Sequence, residues 1–122
     1  MTDEQLSVLD QTKQVRVVTQ SPGGPRKTII WIVVADGSVY IRSVDGETGR
    51  WYQRALSDPN VAIETDGLKI PFRAVSVTDS GEIETVSRAL QDKYPAGGSL
   101  DRMVRDEVLA TTLRLEPVTS QS

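Results

Sequence analysis

Hydrophobic and polar positions alternate along most of this chain, and the main departure from alternation marks its centre. Ile29-Ile30-Trp31-Ile32-Val33-Val34 is apolar on both faces of an extended backbone. Ile30, Ile32 and Val34 fall on one side, and Ile29, Trp31 and Val33 on the other. A strand with no polar face must be covered on both sides, which places it within a closed or doubly covered sheet. Asp36-Gly37 supplies the positive-φ pair of a tight hairpin. Residues 38–43 then return as a strand that stops at Arg42-Ser43.

The remaining pattern adds strands around this hairpin. Residues 14–20 place Val15 and Val17 on one face, and Ser21-Pro22-Gly23-Gly24-Pro25 turns the chain into the 26–35 strand. Residues 60–66 alternate and lead through Asp66-Gly67 into a strand over 68–77, where Pro71 implies an edge position or a bulge. Residues 108–115 read as a closing strand, with Leu109, Thr111, Leu113 and Leu115 facing one way. The period lengthens in three places. A short helix is predicted over 50–57, stopped by Asp58-Pro59-Asn60, and the longest over 81–93, with Ile83, Val86, Ala89 and Leu90 in register. Another short helix is predicted over 99–106. Residues 3–11, with Leu6 and Leu9 three apart, fit a short helix or a loosely packed terminal segment; Pro117 and the last four residues read as frayed. The sum is six strands, mostly antiparallel, able to close into a small barrel. One longer helix lies between the fifth and sixth. A single domain over 1–122, with a core of about 14–117, accounts for the chain.

Composition removes more functions than it suggests. The chain contains no Cys and no His, so disulfides, thiolate nucleophiles, Cys or His zinc sites, Ser-His-Asp triads and histidine-ligated haem have no residues to form from. Proton transfer is left to Asp, Glu, Lys, Tyr, water or a cofactor, and a bound organic cofactor is the natural carrier of any difficult step. A net charge of −3 argues against general nucleic-acid binding. No apolar run is long enough to span a bilayer. The acidic start lacks the basic and apolar regions of a signal peptide, so a cytoplasmic protein is expected.

The order Thr19, glycine-rich turn, Pro25-Arg26, Ile30-Trp31-Ile32-Val33, Tyr40-Ile41-Arg42-Ser43, Arg50-Trp51-Tyr52 and Asp58-Pro59-Asn60-Val61 resembles the FMN-binding split β-barrel superfamily. That group includes pyridoxamine-phosphate oxidases and deazaflavin-dependent nitroreductases. A bacterial branch of unknown function, ending in a stretch similar to residues 109–117, is the nearest in pattern. The resemblance implies a homodimer with cofactor clefts between protomers, holding FMN or a deazaflavin coenzyme and acting on a small organic molecule. Carried over, Arg26, Ile30 and Trp31 line the ring side. Arg42, Ser43, Arg50 and Trp51 serve the phosphate side or the cleft wall. Independently of the resemblance, Arg42 and Arg50 bracket a glycine-containing loop before a helix start, a setting that attracts anions. No catalytic residue is indicated.

Two departures bear on the cofactor. Deazaflavin-dependent relatives carry a Gly-Arg-Lys-Ser-Gly-like turn where this chain has Gln20-Ser21-Pro22-Gly23-Gly24, and Asp45 and Glu47 follow the serine. Both changes weaken the case for the deazaflavin coenzyme and leave FMN open, since a single phosphate needs fewer cations. A cofactor-free dimeric barrel that binds or reshapes a small apolar molecule is the alternative, followed by a purely structural or regulatory dimer. Each residue also has a plainer reading: Trp31, Trp51 and Tyr52 as packing aromatics, Arg42 and Arg50 as surface partners of Asp45 and Glu47. By the same reasoning, the 101–107 charge run reads as a solvated face.

Overall fold

The computed structural model describes residues 1–118. The elements in chain order are α1 (Asp3–Gln11), β1 (Gln14–Thr19), β2 (Arg26–Trp31), β3 (Val33–Ala35), β4 (Ser38–Ile41) and α2 (Arg50–Ser57). There follow β5 (Asn60–Thr65), β6 (Leu68–Ser76), α3 (Ser80–Lys93), α4 (Gly98–Val104), α5 (Asp106–Leu109) and β7 (Leu113–Pro117).

Seven strands form one antiparallel sheet in the order β2-β1-β5-β6-β7-β4-β3, so the expected count of six is corrected. The extra strand arises within the long apolar stretch. Residues 26–31 pair with β1, residues 33–35 pair with β4, and Ile32 between them belongs to neither ladder. The two edges of the sheet are therefore consecutive pieces of chain, and the sheet curls until they meet at Ile32. Side-chain alternation runs through the break: Ile30, Ile32 and Val34 point into the barrel, while Trp31, Val33 and Ala35 face outward beneath helices. Ile32's backbone is served by side chains instead of a ladder. Its N–H donates to the Tyr94 hydroxyl at 3.1 Å, and its carbonyl accepts from Lys93 Nζ at 2.8 Å.

Both Asp-Gly pairs fold as predicted. Asp36 and Gly37 have φ of 50° and 77°, and Asp66 and Gly67 have 41° and 79°, the double positive-φ signature of the tightest hairpins. Pro71 is not at a sheet edge or bulge, because β6 lies between β5 and β7 with Pro71 in unbroken register opposite Ala62. The proline is tolerated because ladder pairing with β7 begins only at Phe72; on that side Pro71 only accepts, from Val118 N at 3.5 Å, and no N–H is required of it.

The closing strand starts later than expected. Residues 106–109 form the helical turn α5, and Thr111 and Thr112 donate their hydroxyls to Val108 O and Leu109 O at 2.7 Å, ending that turn before β7 begins. Pro117 closes β7 opposite Phe72; the expectation for residues 119–122 lies outside the described residues. At the other end, Thr2 and Gln5 form a reciprocal capping box on α1, whose Leu9 is buried in the barrel core. No helix among the described residues is long and apolar enough to cross a membrane.

Candidate functional site

The barrel is split beside β2, one of the two edges of the sheet. Because β2 pairs only with β1, its second edge is free, and Thr28, Ile29, Ile30 and Trp31 border a cleft of about 310 Å³ along that edge. Across it stand Arg42, Val44 and Asp45 from the chain after β4, Trp51 from α2, and Arg102 and Met103 from α4. A second hollow, about 560 Å³, continues from the first through Thr28, Asp45 and Trp51. It is lined by Thr48, Gly49, Arg50, Arg54 and Arg105 at the start of α2.

The two hollows differ in chemistry. The first has aromatic walls: Trp31 stacks face to face on Tyr94, centroids 3.9 Å apart, and Trp51 meets Tyr52 edge-on at 6.2 Å. The second is cationic. Arg54 is steered by Thr19, whose hydroxyl accepts from Nε at 2.8 Å, and Arg105 donates to Val44 O at 2.9 Å. The Arg50 side chain has no ion pair or hydrogen bond among the described residues. Five arginines thus line the two hollows against one carboxylate, Asp45, which lies 3.9 Å from Arg102. That excess of positive charge sits in a chain of net charge −3.

The structure brings Ile30, Trp31, Arg42, Arg50 and Trp51 together, but not all in the roles expected. Arg42 is 2% exposed and donates four hydrogen bonds: Nε to Thr112 Oγ1 (2.7 Å), one terminal nitrogen to Ser87 Oγ (2.9 Å) and Met103 O (3.1 Å), the other to Ile83 O (2.8 Å). It is no surface partner of Asp45 or Glu47. Burial pulls its pKa down to about 10, so the guanidinium stays charged at neutral pH with no carboxylate beside it. Arg42 is a cleft wall and a strut between barrel and helices.

Ser43 lies beneath the loop and reaches neither hollow. Its buried Oγ has no hydrogen-bond partner among the described residues and points at Gly49, where an added Cβ would approach it to 2.2 Å. Gly49 therefore permits the loop to close over β4. Arg26 is exposed at the far end of β2, beside the Gly23 turn, away from both hollows.

Arg54, Arg102 and Arg105 are the residues that sequence reasoning missed. The charged residues of the 101–107 run are exposed, as expected of a solvated face. Arg102 and Arg105, three apart on either side of the buried Met103, nevertheless border the clefts, Arg105 with Glu107 3.6 Å away. The i,i+3 spacing of two arginines around a buried methionine was the available signal.

A curled, split antiparallel barrel with helices over one outer face is the fold of the FMN-binding split-barrel proteins. Residues 5–115 match a bacterial family described as an uncharacterized protein conserved in bacteria (DUF2255), and the chain belongs to it. Comparison with curated proteins finds no match in sequence. Among solved structures, conserved hypothetical protein Rv2991 of Mycobacterium tuberculosis superposes with a TM-score of 0.71 at 17% identity, over 96% of this chain and 81% of that one. An FAD binding protein from Mycobacterium smegmatis gives 0.66 at 17% identity, over 98% and 92%. HutZ, a heme storage protein from Vibrio cholerae, gives 0.68 at 14% identity, over 97% and 91%. At these identities the likeness is one of fold.

Proposed function

We propose that the split holds a flavin nucleotide of the FMN type and that the protein is an oxidoreductase acting on a small organic molecule. The observation that carries this reading is the continuity of an aromatic hollow with an arginine-lined one. A flavin likewise joins a flat, largely apolar ring to an anionic tail. The residues fit the group: Trp31 and Trp51 offer ring surfaces, the free edge of β2 offers backbone donors and acceptors, and Arg50, Arg54 and Arg105 face a phosphate at the start of α2. The printed description of the Mycobacterium smegmatis neighbour as an FAD binding protein supports a flavin. Nothing comparable supports a deazaflavin. When bound, the flavin supplies the electron transfer; this chain binds it, orients the ring and excludes water from one side.

A second copy of the chain closes the other side. Ile29 is 67% exposed on the uncovered outer face of the sheet and borders the cleft, an apolar residue placed for a partner to cover. The test is an absorbance spectrum of the purified protein from 300 to 500 nm, followed by FMN titration and sedimentation. A flavin band or saturable micromolar binding, one site per protomer of a dimer, is expected. A colourless protein that ignores FMN overturns the reading in favour of a cofactor-free cleft for small apolar molecules.

A further inference from the structure

The aromatic wall of the cleft is held from behind, and the holding residue lies outside the cleft. Trp31 is the last residue of β2, on the free edge of the sheet, where nothing in the ladder fixes its indole plane. Tyr94, which caps the C-terminus of α3, lies parallel to it: the interplanar angle is 1°. Tyr94 is itself immobilised. Its hydroxyl accepts from Ile32 N–H and sits within donating distance of Ile32 O (2.9 Å) and Lys13 O. The Lys93 ammonium lies 5.5 Å from its ring centroid. The phenol is thus bolted to the barrel seam at one end and to a helix at the other, with one face covered by the indole.

We propose that Tyr94 is the positioning residue of the binding site. It fixes the plane of Trp31, so that a flat ligand entering the cleft stacks as a third layer on a prepared platform. The inference rests on the reading that the cleft takes a planar ring, and it assigns Tyr94 no contact with that ring. Pre-orienting an aromatic surface removes the cost of ordering it at the moment of binding. The ring of Tyr94 supplies the plane; its hydroxyl supplies stability.

Those two contributions can be separated. FMN and lumiflavin, the same ring without the phosphate tail, are titrated by flavin fluorescence into the intact protein and into Tyr94→Phe, Tyr94→Leu and Arg50→Ala, with thermal melts in parallel. Tyr94→Phe keeps the plane and is expected to lower Tm while leaving both affinities within about twofold. Tyr94→Leu is expected to weaken both ligands by the same factor, about three- to tenfold. Arg50→Ala weakens FMN alone. Tyr94→Met, which refills the volume without a plane, replaces the Leu variant if that one does not fold. Equal weakening by Phe and Leu, or no weakening by Leu, overturns the platform while the flavin reading stands. Lumiflavin binding without FMN binding overturns the nucleotide reading and leaves the platform to be judged on lumiflavin. Failure of both ligands to bind the intact protein overturns both.

Discussion

Two apolar clusters hold this molecule, and they obey different rules. The barrel interior, including Val17, Ile63, Phe72, Leu113 and Leu115, is a cluster of buried hydrophobic side chains. The outer cluster, where Val33, Val86, Leu90 and Met103 join β3 and β4 to α3 and α4, is laced with directed polar contacts. Arg42 bonds α3, α4 and the approach to β7. Lys93 and Tyr94 hold Ile32, and Glu82 accepts from Tyr40 at 2.7 Å and from Arg114 at 2.6 Å. Shape and volume suffice to fill the first cluster, whereas the second also depends on donors meeting acceptors at fixed angles. The first hollow of the candidate site takes walls from both regions, Ile30 and Trp51 from the barrel cluster and Trp31, Met103 and Arg42 from the outer one.

The largest test of this difference is a pair of conservative substitutions. Ile63→Leu in the barrel is expected to cost less than about 1.5 kcal/mol, because the interior can repack around a similar volume. Arg42→Lys keeps the charge but offers one nitrogen where three now donate, leaving buried acceptors without partners. It is expected to cost about 2–4 kcal/mol. Urea unfolding of both variants decides the matter. A lysine variant as stable as the leucine variant would remove the distinction between the clusters.

Gly49 sharpens the comparison where the two regimes meet. Its φ of −58° and ψ of 129° suit any residue, so the cost of Gly49→Ala comes from the collision with Ser43 Oγ at 2.2 Å, with a lesser one from the Gly46 carbonyl oxygen at 3.3 Å, and not from backbone strain. We expect a loss of about 1–2 kcal/mol. Ser43→Ala should recover most of it, since that hydroxyl satisfies no partner and its Cβ lies 3.4 Å from the added one. A double mutant no more stable than Gly49→Ala would show that the loop needs the glycine for another reason.

The barrel was legible in the sequence because its rule is periodic. Val15 and Val17, Val61 and Ile63, and Ile70 and Phe72 alternate as a half-buried strand requires, and both Asp-Gly turns announced their geometry. The seam at Ile32 was not legible. An unbroken apolar run carries no mark of where its ladder partner changes, and the residues that satisfy the seam lie about sixty positions away. Arg42 reads in the sequence as a phosphate-side or cleft-wall residue, or else as a surface partner of Asp45 or Glu47; its role as a buried strut is not legible, since its partners are hydroxyls and carbonyls scattered over α3, α4 and the approach to β7. The cationic hollow was half visible. Arg50 stood out beside a glycine-rich loop, whereas Arg102 and Arg105 were lost among alternating charges whose facing depends on how α4 packs.

The polar seam also predicts a pH dependence that the barrel interior does not. Burial pulls the half-buried Lys93 ammonium down to about 8, with Asp10 opposing and Lys13 assisting that shift. The folded protein therefore releases this proton before the unfolded chain does, and stability rises with pH from about 8 toward 10. The gain is on the order of 1 kcal/mol once solvent screening of a partly exposed group is allowed for. Above 10 the clean window ends, because Tyr94, pushed up to about 12, and Arg42, pulled down to about 10, act in opposite directions. Denaturant midpoints at pH 7, 8, 9 and 10 should show the rise in the intact protein and its absence in Lys93→Met. A rise that survives the substitution would assign the effect elsewhere.

Arg50 belongs to neither cluster, and for that reason it gives the smallest stability change and the most direct functional one. It is exposed at the first position of α2, with no side-chain ion pair or hydrogen bond among the described residues, and it lines the cationic hollow. Replacing it with Ala removes nothing that the fold uses, so the unfolding free energy should move by no more than about 0.5 kcal/mol. Its removal also leaves the α2 N-terminus one cation short. Binding of FMN should weaken by about 1.5–3 kcal/mol, the range for a charge-assisted hydrogen bond. Riboflavin, with the same ring and ribityl chain but no phosphate, should bind the variant and the parent equally. If stability falls and FMN affinity holds, Arg50 is a structural residue and the phosphate end of the ligand lies elsewhere along the split.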